Sequence, residues 1–124
     1  MQMFEIPQEQ WESFFDRLLE LRRLLPVRLE LASMDVGDQE LAALIPLRNI
    51  DFEEAGSDRG SVLISVGDPE DELIHRVASP RVIYALLGSN GAIECVAIEE
   101  DDDSKTFLFF ENRTLIGAGE LIPE

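Results

Sequence analysis

The sequence predicts an α+β fold in which one N-terminal helix packs on an antiparallel meander of about six to eight strands. The sheet is expected to curl into a partial barrel or a sandwich. Three observations carry this expectation. Apolar residues near the N-terminus recur with the 3.6-residue period of a helix, the period changes to two after Pro26, and turn-forming residues then punctuate the chain at short intervals.

The helix is expected over residues 8–24. Trp11, Phe14, Phe15, Leu18, Leu21 or Arg22, and Leu25 follow the i, i+3, i+4, i+7 spacing of one buried face, and Leu19 widens the stripe. Glu9 and Glu12 fall in the first turn and Arg22 and Arg23 in the last, each sign favourable to the helix dipole. Pro7 precedes the helix and Pro26 stops it.

After Pro26, Val27, Leu29 and Leu31 alternate with Arg28, Glu30 and Ala32, as in a half-buried strand. Asp35-Val36-Gly37-Asp38 is a turn, and residues 40–47 return beside the first strand. Residues 49–58 stay open between strand and loop, because Ile50 and Phe52 alternate with acids before Gly56 and Gly60 break the run. Residues 61–66 form a strand closed by Gly67-Asp68-Pro69, and 73–78 and 81–87 are strands divided by Ser79-Pro80. Ser89-Asn90-Gly91-Ala92 reads as a type I′ hairpin, since Asn-Gly tolerates the positive φ angles that turn requires. It joins 82–87 to 93–98; a turn at 101–104 then leads into the last strand, 106–110. Phe107 and Phe109 point to one side of that strand, Leu108 and Phe110 to the other. A single helix covers one side only, so the other must be buried by curling or by a second copy in a homodimer.

A chain of 124 residues fits one domain, 1–124, and 45% apolar content is too high for a disordered chain. No stretch has the 18 or more apolar residues of a membrane span, and the N-terminus lacks the basic and apolar regions of a secretion signal. Cys95 is the only cysteine, which excludes an intrachain disulfide. A cytoplasmic location is expected. Charge is the outstanding property: 26 acids against 10 bases give −16. The acids bunch as Asp51, Glu53, Glu54 and Asp58; as Asp68, Glu70, Asp71 and Glu72; and as Glu99, Glu100, Asp101, Asp102 and Asp103. Such a surface repels nucleic acid and anionic lipid; it is either a solvated face that keeps a small protein soluble or a face that attracts a basic protein partner. Mutual repulsion is expected to raise carboxylate pKa values, so that stability increases as pH falls.

The search for site chemistry gives little. His75, the only histidine, shares a strand face with Leu73 and Val77; it is either a structural residue or, with Arg76 and Arg81, part of a small-ligand pocket. Arg113 is a further rare cation. Cys95 lies in an apolar strand without a basic neighbour to activate it. A calcium loop begun at Asp101 needs Gly and Glu where Thr106 and Asn112 stand, and one begun at Asp68 meets Leu73 and Ser79. Phosphate-binding glycine patterns are absent, so no cofactor, metal or catalytic residue is expected.

Ile6-Pro7-x-x-x-Trp11-x-x-Phe14-x-x-x-Leu18, Val66-Gly67-Asp68 and Ile74-His75-x-x-x-x-Pro80-x-Val82 resemble an uncharacterised family of small bacterial proteins, defined by a domain of unknown function. The resemblance covers nearly the whole chain, implies bacterial origin and a stand-alone domain, and brings no catalytic residues. The leading functional expectation is a non-enzymatic interaction or accessory module that self-associates through its sheet. One alternative is an acidic inhibitor or immunity-type protein, which requires the three acidic groups to converge on one face. The other is a ligand binder or enzyme with a pocket at His75.

Overall fold

The computed structural model describes residues 2–35, 37–53, 60–89 and 91–110. Of the sequence features above, Val36, Glu54, Gly56, Asp58, Asn90, Asn112 and Arg113 lie outside the described residues.

The first element is a strand, β1 (Gln2–Glu5), which four exposed residues are too few to announce by pattern. The Ile6 N–H then donates to the Ile83 carbonyl at 2.8 Å, and Trp11 Nε1 donates to the Ile6 carbonyl at 2.9 Å, fixing the entry into the helix. Helix α1 (Trp11–Arg22) is shorter than the predicted 8–24 at both ends. Residues Gln8–Gln10 wind as a tighter 3₁₀ turn. At the other end Arg23 turns to ψ 134° and Leu24 adopts φ 69°, ending the helix ahead of Leu25, whose place before Pro26 disfavours helical backbone. The freed groups bond to the sheet instead: Leu24 N–H donates to Leu47 O at 2.6 Å, and Leu47 N–H to Leu25 O at 3.0 Å.

Strands β2 (Pro26–Ser33), β3 (Gly37–Glu53), β4 (Ser61–Asp68), β5 (Asp71–Val77), β6 (Pro80–Leu87), β7 (Ile93–Glu100) and β8 (Lys105–Phe110) complete the described elements. They form one open antiparallel sheet in the order β1-β6-β7-β8-β2-β3-β4-β5. Of residues 49–58, open between strand and loop in the sequence, 49–53 continue β3 to Glu53 and 54–58 lie outside the described residues. β3 pairs with β2 up to Pro46 and with β4 from Leu47. Register shifts beside Ala42–Ile45 and at Arg48, with Leu44 at φ 54°, break the two-residue alternation. A bulge therefore concealed a single long strand as two short pieces. Pro80, placed in a loop by the sequence, opens β6, where a strand's first residue tolerates the missing N–H.

Curling of the sheet is visible in one contact. His75 Nε2 on β5 and Thr106 Oγ1 on β8 are hydrogen-bonded at 3.0 Å. In a flat sheet these strands, four steps apart, would be separated by roughly 19 Å. The concave side encloses the core: Val27, Leu29, Ile64, Val66, Ile83, Ile98, Leu108 and Phe110 from the strands meet Trp11, Phe14, Phe15 and Leu18 from α1. Trp11 meets Phe52 edge-on at 6.1 Å between ring centroids. Of the two sequence candidates for the helix's buried face, Arg22 rather than Leu21 is the fully enclosed one, its guanidinium 5.3 Å from the Phe110 ring centroid. Burial lowers its pKa from the usual arginine value.

Candidate functional site

The convex side of β1, β6, β7 and β8 carries an apolar strip with a groove of about 310 Å³. Register builds it from the sequence. Met3 faces Leu86, Leu86 faces Cys95, Tyr84 faces Ala97, and Ala97 faces Phe107, all pointing away from the core. Phe107 stacks on Phe109 at 6.0 Å between centroids. The outer end of the strip is covered by the chain's own charges, since the Arg28 guanidinium lies 4.2 Å from the Phe109 ring centroid and pairs with Glu30 at 2.6 Å. The open part is the groove lined by Met3, Tyr84, Leu86, Ala97 and Phe107, with Glu99 and Lys105 as its polar rim. Cys95, between Leu86 and Phe109 on the same side, is buried, and desolvation pushes its thiol up to about 12. That thiol stays protonated and unreactive.

Arg81 stands at the rim. Its guanidinium donates to Glu99 Oε1 at 3.1 Å and Asp103 Oδ1 at 2.8 Å, and bonds to Asp103 and then Glu99 raise its pKa. Tyr84 also lies against Glu99; desolvation first, then the Glu99 charge, raises its phenol pKa. The positive charge of Arg81 is thus compensated by two carboxylates.

His75 and Arg76 do not join Arg81. Successive residues of a strand face opposite ways. His75 points inward to Thr106, half-buried, and desolvation lowers its pKa, favouring the neutral ring. Arg76 points outward, opposite Leu63 of β4, and is exposed.

The acidic run 99–103 proves to be a working turn. Glu100 accepts from the N–H groups of Ala78 at 3.1 Å and Ser79 at 3.5 Å, while Asp101 N–H donates to Ser79 O at 3.1 Å. Asp102 accepts from the N–H and hydroxyl of Ser104, and these bonds hold its pKa below the usual aspartate value, opposite to the direction expected from crowding. Asp103 adopts φ 67° and holds Arg81. The run therefore clamps the β5–β6 corner to the β7–β8 turn. Among the described residues no three His, Cys, Asp or Glu side chains group to hold a metal ion.

The described acids do not converge. Glu53 faces Ser61 at one end of β4, whereas Asp68 lies at the other with Glu70, Asp71 and Glu72 around the β4–β5 turn. Seven strand residues separate these ends by roughly 23 Å. Residues 99–103 bond next to Ser79, just past Val77, whose partner Val62 lies near the Glu53 end. Among the described residues the three acidic groups therefore do not form the single face that the inhibitor alternative requires.

Sequence reasoning missed the groove, although the two-sided apolar pattern of residues 107–110 was its signal. What it lacked was β1 and the pairing that brings Met3, Leu86 and Phe107 together. No helix among the described residues is long and apolar enough to cross a membrane.

An uncharacterized protein of Aquifex aeolicus (strain VF5) is 27% identical over 104 residues, covering 83% of this chain and 86% of that protein. No solved structure matches the chain. The family model of DUF5335, a family of unknown function, matches residues 2–117, and with nearly its whole length inside that match the chain belongs to this family.

Proposed function

We propose that the chain is a non-enzymatic cytoplasmic interaction module whose contact surface is the convex groove of β1, β6, β7 and β8. One observation supports this above others: in a chain of formal charge −16, the groove presents Met3, Tyr84, Leu86 and Phe107 to solvent with a charged rim of Glu99 and Lys105. An apolar centre with a polar rim is the anatomy of a protein contact. His75 serves the interior in this proposal, and the paired Arg81 fixes the rim.

The test places a photo-crosslinking residue at Leu86, and as control at exposed Asp16 of α1, in cells of the native host. Position 86 should give a discrete crosslinked protein, position 16 none, and Phe107→Asp should abolish the product. No product from position 86, or equal products from both positions, would refute the proposal.

A further inference from the structure

We infer that two copies of this chain pair through the free edge of β5, extending the sheet across a two-fold axis at Ile74. This goes beyond the groove proposal and uses a different surface. β5 ends the sheet, with β4 as its one strand neighbour among the described residues. Asp71, Glu72, Leu73, Ile74 and Arg76 are exposed, Ile74 at 55%.

The hairpin geometry decides which backbone groups are free. Asp68 faces Asp71 across a two-residue turn, and the register then runs without a shift to Val62 opposite Val77. The pair closing such a turn exchanges backbone hydrogen bonds, and bonded and non-bonded pairs alternate from there. Residues 71, 73, 75 and 77 therefore bond to β4. The N–H and C=O groups of Glu72, Ile74 and Arg76 point to the open edge.

The charges match the same register. An antiparallel pairing centred on Ile74 sets Ile74 against its own copy and Glu72 against Arg76 of the second copy, twice by symmetry. All three are residues whose backbone groups face the edge, so these are the hydrogen-bonded pairs of the new ladder. Arg76 makes no ion pair among the described residues, while Glu72 already lies 3.5 Å from Arg48 on the same convex side and would sit between two cations. Opposite charges directly across a strand pair stabilise it, and like charges oppose it. On the inner side Leu73 meets His75 of the second copy. A one-residue slip would destroy this match, whereas the two-fold register satisfies both ends together.

The test uses the full chain in light scattering after size exclusion, over a range reaching high micromolar concentrations. The 14.0 kDa chain should appear at twice that mass. Glu72→Arg and Arg76→Glu should each raise the dissociation constant about tenfold or more, since each sets like charges opposite at both symmetric positions. The double exchange, E72R with R76E, should restore the dimer. Circular dichroism melting of each variant checks that the monomer folds, and Phe107→Asp should leave the mass unchanged. A wild-type mass of 14.0 kDa throughout, a dimer indifferent to both single reversals, or a double exchange that fails to recover would overturn the inference. So would loss of the dimer in Phe107→Asp, which would move the interface to the groove.

Discussion

Trp11 offers the sharpest test of how the helix is held on the sheet. Its side chain is 1% exposed, meets Phe52 edge-on, and donates Nε1–H to the Ile6 carbonyl, itself part of a residue 1% exposed. Replacement by Ala removes a large buried ring, costing about 3–5 kcal/mol. It also strips a buried carbonyl of its donor, adding about 1–3 kcal/mol. Together these approach the whole stability of an ordinary domain, about 5–15 kcal/mol. Trp11→Phe separates the two contributions, because it keeps a ring against Phe52 and loses the donor. A loss of at least about 1 kcal/mol is expected for Phe, and a mostly unfolded chain or a loss of about 4 kcal/mol or more for Ala. Urea unfolding followed by far-UV circular dichroism measures both without relying on the indole. A Trp11→Phe cost below about 0.5 kcal/mol would refute the enclosed donor-acceptor pair.

Three further outcomes are expected. His75 has a folded pKa lowered by burial, so its neutral form contributes stability that is fully present above the unfolded value of about 6.5. That contribution is lost as pH falls from there through the folded value, because the unfolded chain takes up the proton first. The urea midpoint of the wild type relative to that of His75→Asn should therefore drop between about pH 7.5 and about 5.5, whatever slope the carboxylates give to both; a difference that does not change with pH would count against the inward ring. Gly67 has φ 102°, and a Cβ there would lie 2.5 Å from the Asp71 carbonyl oxygen, whereas Gly37, at φ 74°, has open space. Gly37→Ala should cost about 1–2 kcal/mol and Gly67→Ala distinctly more in thermal melts, and equal costs would contradict the turn geometry. Cys95, with its thiol pushed up to about 12, should resist a thiol reagent in the native protein and react on unfolding; prompt native labelling would place it at the surface.

Local pattern was sufficient for much of the fold. The helix rhythm from Trp11 to Leu18, the alternation after Pro26 and the turns at Gly67-Asp68-Pro69 and 101–104 depend on neighbours within a few residues, so they can be read directly. The inward face of His75, shared with Leu73 and Val77, follows from the same parity. Local pattern failed where long-range pairing overrode it. A bulge at Arg48 hid the length of β3, and β1 owes its existence to the exposed edge of β6, which lies far away in sequence.

Composition and repeats of short period suffice for the class of fold, the acidity, the helix and most strands, because each of these is a sum over neighbouring residues. The partners of the charged residues depend instead on how distant strands come together. Arg81, Glu99 and Asp103 became one network, Arg76 was turned away from His75, and the acidic groups were sent to opposite ends of β4. Strand order and register fix those neighbours, and neither is encoded in the spacing of residues along a single strand.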